Sequence, residues 1–138
     1  MTDPKHEIPN ILLKYLSGVQ AIYLFGSLPA RTEHDRSDVD IAVLLVPEQS
    51  KHVRREAFLD ARTVLEADLH RDTDLINLRQ ADTVLQKEVV NTGERIYCSD
   101  EYAAEEFEML VLSEYQKLSR ERADIVEEIL VSGRVLAA

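Results

Sequence analysis

The run Asp38 to Val46 (DVDIAVLLV) constrains this chain more than any other stretch. It is short, nearly continuously apolar, and ended by Pro47. A half-exposed strand alternates apolar and polar residues, whereas one covered on both faces reads as an unbroken apolar run. A strand of that kind suits helices above and below it and, together with the helices and strands read below, it makes the fold class α/β (α+β). A second run, Val19 to Phe25 (VQAIYLF), is β-branched and aromatic, stops at Gly26, and reads as another strand.

Helical periodicity fills most of the rest. Ile8, Ile11, Leu12, Tyr15 and Leu16 are spaced for a helix over Glu7–Ser17, with Gly18 as its stop. Residues Ser50 to Leu69 place Val53, Ala57, Phe58, Ala61, Val64, Leu65 and Leu69 on one side, as in one long surface helix. Asp72–Leu78 reads as a third strand, and Asp82–Asn91 as a short helix closed by Gly93 in a left-handed cap. Glu94–Cys98 suits a short edge strand. From Asp100 to Ser132 a stripe of Phe107, Leu110, Val111, Tyr115, Leu118, Ile125, Val126 and Ile129 predicts a terminal helix. The expected architecture is a small mixed sheet flanked by helices, with residues 1–99 as one domain. Residues 100–138 form a helical extension, packed on that domain or docking a partner.

Composition excludes several classes. With 138 residues a single domain is expected, large enough to bury a core without staples. The 26 acidic residues against 16 Lys and Arg give a net charge of −10, which disfavours direct nucleic-acid binding. Residues 100–138 carry ten of those acids and four bases, so their helix is either a solvated face or an acidic arm for a partner. One cysteine, Cys98, rules out an internal disulfide and reads as a small apolar residue at a strand end. No stretch reaches membrane-helix length, and MTDPKHEIPN lacks the apolar run of a secretory signal, so a cytoplasmic protein is expected.

The chemistry lies between the first two strands. Gly26-Ser27 ends one, ten residues pass, and the next opens Asp38-Val39-Asp40. Alternate side chains of a strand share a face, so Asp38 and Asp40 project together while Val39 enters the core. Two carboxylates so placed repel unless a cation joins them, and oxygen-only ligands suit Mg²⁺ or Mn²⁺. Gly26 lets a backbone approach a bulky anion, and Ser27 adds a hydroxyl and an N–H for phosphate. Asp74 opens its own strand and supplies a third carboxylate that could bind metal or accept a proton, with Asp72 as the fallback. The scattered His6, His34, His52 and His70 show no ligand spacing, and only His34 lies within the phosphate-loop segment. Tyr15, Tyr23, Tyr97, Tyr102 and Tyr115 read as packing residues.

Gly-Ser, ten residues, Asp-x-Asp and a later strand-borne Asp resemble the signature of the DNA polymerase β-like nucleotidyltransferase superfamily. Over residues 8–98 the chain is similar to its minimal MNT (MntA-type) members, whose genes pair with HEPN-domain RNase toxins. Asp74-Leu75-Ile76-Asn77-Leu78 and the segment Val84 to Tyr97 carry the resemblance further. It implies an antitoxin that transfers AMP from ATP to a tyrosine hydroxyl of the cognate HEPN toxin. Under it, Gly26 and Ser27 hold the triphosphate, and Asp38 and Asp40 bind two Mg²⁺. Asp74 is then the third acid, completing the catalytic and metal-binding set. The sequence departs from many relatives at Leu28-Pro29-Ala30-Arg31, with Arg31 where Gly is common, so either Arg31 or Arg36 stands as the phosphate contact. Two other functions fit the residues: nucleotide transfer to a small molecule, as in aminoglycoside-modifying relatives, and masking of a toxin without chemistry.

Overall fold

In a computed structural model, residues 4–26 and 38–132 are described. The sheet has four strands: β1 (Val19–Phe25), β2 (Val39–Leu45), β3 (Thr73–Asn77) and β4 (Glu94–Cys98), in the order β3-β2-β1-β4. β1 runs antiparallel to both β2 and β4, whereas β2 and β3 are parallel, which makes the sheet mixed as expected. Every residue of β1 is buried, and so is every residue of β2 except Asp40. That one polar break in the central strand is the first structural sign of a site.

Two apolar layers account for the continuous reading of β2. On one face Ile22, Leu24, Val39, Ile41, Val43 and Leu45 pack beneath α1 (Pro4–Tyr15) and α3 (Arg55–Leu69), which contribute Ile8, Leu12, Ala61 and Leu65. On the other, Ala21, Tyr23, Phe25, Ala42 and Leu44 meet Leu78, Val89 of α4 (Thr83–Thr92), and Ala104, Phe107 and Val111 of α5 (Glu101–Ser132). Strand alternation sets Asp40 on this second face, in line with Ala42 and Leu44.

Several expectations need correction. The first helix begins at Pro4, because proline is well tolerated in a first turn, and it ends at Tyr15. Residues 50–69 are not one helix: α2 (Pro47–His52) and α3 are separated by extended backbone at Val53 and Arg54. Pro47 starts the short helix, and tertiary bonds hold it, with the Ser50 carbonyl accepting from Asn77 Nδ2 at 2.8 Å and Ser50 Oγ from Gln80 Nε2 at 3.1 Å. A helical periodicity count cannot see such anchors.

Gly93 does follow α4, but its backbone is extended (φ −79, ψ 162) and not left-handed. Its small size is needed instead for close approach: a Cβ there would lie 2.5 Å from the Val89 carbonyl oxygen and 3.2 Å from Phe25 Cβ. The stripe expected along α5 is buried only near its start. Leu110 is 62% exposed, Ile125 and Val126 are also exposed, and residues 119–128 all face solvent. Cys98 is exposed and not packed, as are Tyr15 and, at 76%, Tyr102, whereas Tyr23 is buried in the core and the half-buried Tyr97 packs against it.

α5 is fixed to the sheet by more than apolar contact. Tyr23 donates its hydroxyl to Glu108 Oε2 at 2.6 Å, and Arg95 on β4 pairs with the same carboxylate at 3.2 Å. Burial, then Glu108, pushes the Tyr23 phenol well above its ordinary range. Asp100 caps the helix, accepting from the Ala103 N–H at 3.0 Å.

Candidate active site

Among the described residues, Gly26, Asp38, Asp40 and Asp74 of the expected site gather at one end of the sheet. β1 finishes there at Phe25-Gly26, and β2 and β3 both begin there. In the antiparallel pair Phe25 stands opposite Asp40, and in the parallel pair Asp40 is the register partner of Asp74. Neighbouring strands lie about 4.8 Å apart, so the two carboxylates rise from adjacent backbones on one sheet face. Asp38, immediately before β2, is exposed; Asp40 is half-buried; Asp74 is exposed. The fallback Asp72 precedes β3, and its carbonyl accepts the Val39 N–H at 2.8 Å, which sets the register. Ser27, Arg31, His34 and Arg36 lie outside the described residues.

Gly26 meets these acids through its backbone. It is in the left-handed region (φ +75), and the Asp40 carboxylate lies directly against the position a Cβ would occupy. Glycine is therefore needed both for the turn and for the room it leaves to Asp40.

The electrostatics show crowded negative charge. The Asp40 carboxyl is held above its usual range by burial first, then by Asp74, then by Asp38. A carboxyl so perturbed by burial and by two neighbouring acids is a mark of a functional site. Among the described residues no three acidic, histidine or cysteine side chains converge into a ready metal cage. Among the described residues the donors there are carboxylate oxygens, which suit a hard divalent cation whose remaining ligands are phosphate and water.

One supporting residue carries no sequence signal. Glu66, near the end of α3, accepts the Thr73 N–H at 2.9 Å and pairs with Arg62 at 3.4 Å. The bond from Thr73 is the main reason its carboxyl lies below the usual range. It ties the start of β3, and so Asp74, to α3. In the sequence it is one more acid on a charged helix.

The fold and the acid pair define a nucleotidyltransferase: residues 6–102 match the "Polymerase beta, Nucleotidyltransferase" family, and the chain belongs to it. Among particular relatives, it is 33% identical over 128 residues to the protein adenylyltransferase MntA of Shewanella oneidensis, covering 93% of this chain and 88% of that one. A toxin–antitoxin structure with AMP-PNP matches at a TM-score of 0.76 and 33% identity, over 91% of this chain and 98% of its counterpart. A complex of the tri-AMPylated Shewanella oneidensis HEPN toxin with its MNT antitoxin matches at 0.72 and 31%, over 92% and 96%.

No helix among the described residues is long and apolar enough to cross a membrane.

Proposed function

We propose that this chain is an antitoxin adenylyltransferase, moving AMP from ATP to a tyrosine hydroxyl of a cognate HEPN RNase toxin and thereby neutralising it. The observation that carries the reading is the registered pair Asp40 and Asp74, with Gly26 against Asp40, in a chain similar over nearly its whole length to a protein adenylyltransferase. The nucleotidyltransferase unit comprises residues 1–99 together with the first turns of α5, which complete its core. The remainder of α5 is left to meet a partner.

Gly26 and Ser27 hold the triphosphate, with Arg31 or Arg36 adding charge. Asp38, Asp40 and Asp74 would hold two Mg²⁺, and the raised Asp40 carboxyl supports this fit, since a divalent cation relieves the repulsion among the three acids. When bound, the metal neutralises the triphosphate and favours the ionised form of the attacking hydroxyl. Asp74, on the outer strand, accepts or relays the tyrosine proton. The tyrosine oxygen then forms its bond to the α-phosphorus as the bond to pyrophosphate breaks, in line. Two rigid strands hold Asp40 and Asp74, and that positioning is the main contribution of the fold.

The test uses Asp38→Ala and Asp40→Ala. Each is expected to abolish transfer of labelled AMP to the toxin and neutralisation in cells. Full neutralisation by either variant would make masking the mechanism.

A further inference from the structure

The carboxylate end of the sheet opens beside a second polar feature. Glu66, His70, Arg71 and Asp72 line a cleft of 550 Å³ where α3 hands the chain to β3. His70 turns the backbone there in the left-handed region (φ 57), and Asp74 follows Arg71 by three residues. The Glu66 carboxylate is already engaged by the Thr73 N–H and Arg62. Arg71 is not satisfied in this way: its Nη1 is buried and has no hydrogen-bond partner among the described residues. A desolvated guanidinium nitrogen without an acceptor is unfavourable, and turning the half-buried Arg71 side chain toward an anion in the cleft would relieve it.

The sheet order says which anion. Asp40 on β2 has Gly26, just past the end of β1, on one side and Asp74 of β3 on the other. In-line displacement puts the attacking and leaving oxygens on opposite sides of the α-phosphorus. With pyrophosphate leaving over Gly26, an acceptor approaching from the opposite side would pass over β3, whose N-terminal end borders the Arg71 cleft. Glu66 and Asp72 add negative charge to that cleft, which disfavours a triphosphate but tolerates a singly charged group.

We propose that this cleft is an acceptor-side anion site in which Arg71 binds a single carboxylate or phosphodiester carried by the acceptor. This inference rests on the proposed adenylyl transfer. Two sources share the chemistry: an acidic side chain near the acceptor tyrosine, or the phosphodiester of an AMP already attached. The second arises whenever one acceptor is modified repeatedly, and the toxin in one related complex is tri-AMPylated.

The experiment compares wild type, Arg71→Ala and Arg71→Lys with the cognate toxin, ATP and Mg²⁺. Unmodified and singly AMP-modified toxin serve as separate acceptors, and AMP-PNP affinity is measured in parallel. Loss of a charge-assisted hydrogen bond predicts that Arg71→Ala lowers kcat/KM for the acceptor by about 10-fold or more, with AMP-PNP binding unchanged. Arg71→Lys, which keeps the charge, should restore part of the rate. A defect already present with unmodified toxin identifies the toxin's own carboxylate; a defect only with modified toxin identifies the phosphodiester. Wild-type rates with both acceptors, or an equal loss of AMP-PNP affinity, would overturn the inference alone. A wild-type protein that transfers no AMP would overturn the proposed function, and this inference with it.

Discussion

Replacing Gly26 by alanine should disable the site while leaving every proposed metal ligand in the chain. Two effects add. An L-residue at φ +75 costs roughly 1–2 kcal/mol. The new methyl group would also lie 3.0 Å from Asp40 Cγ and 3.3 Å from Asp40 Cβ, against an ordinary carbon contact of about 3.5–4.0 Å. Because Asp40 is only half-buried, its side chain can swing aside, which limits the stability loss to about 1–3 kcal/mol. The carboxylate must then leave its place by something near 1 Å, and a misplacement of that size lowers rates by about 100-fold. Intact-mass measurement of AMP transferred to the toxin, beside thermal unfolding of the variant, separates the two effects. The variant should melt roughly 3–10 °C lower yet remain folded at 25 °C, with transfer nearly lost. A folded Gly26→Ala protein with wild-type transfer would refute the claim that Gly26 makes room for a working Asp40.

Other perturbations have equally definite outcomes. Asp40→Asn should inactivate the protein but stabilise it at neutral pH. The folded pKa of Asp40 is raised, so its ionisation erodes stability as pH climbs from the free-aspartate value of about 3.9 through the folded value. Urea midpoints should therefore favour the variant at pH 7 and converge with wild type near pH 3.5; no difference at pH 7 would contradict the crowding of charge. Tyr23→Phe removes the 2.6 Å bond to Glu108, which keeps Arg95 as partner, and should cost about 1–2 kcal/mol in urea unfolding. Gly93→Ala forces a methyl group against the Val89 and Leu24 carbonyl oxygens without backbone strain and should cost about 1–3 kcal/mol; a neutral result would mean this packing is loose.

How far the residues reveal the fold depends on the range of the forces that shape each element. β1 and β4 match their sequence-read bounds because burial and turn residues are local signals. The break at Val53-Arg54 was hidden, since Asn77 and Gln80, some 25 to 30 residues away, hold Ser50 in α2. α5 misleads for the reverse reason: its apolar spacing continues past Val111, but the sheet beneath it does not, so Ile125 and Val126 are left in solvent. Strand parity puts Asp38 and Asp40 on one face but leaves Asp72 and Asp74 open, and the pairing of β2 with β3 is what sets Asp74 beside Asp40. The role of Glu66 and the cleft at Arg71 were not legible, because both arise from where α3 delivers the chain to β3.

The central claim is that the acids around Asp40 drive covalent transfer to the toxin. Its most direct test is the intact mass of the cognate toxin after incubation with this protein, ATP and Mg²⁺, followed by mapping of the modified residue. The toxin should gain whole AMP units on a tyrosine, and gain none when Asp40→Asn replaces the wild-type protein. A toxin of unchanged mass that is nonetheless neutralised would contradict the claim.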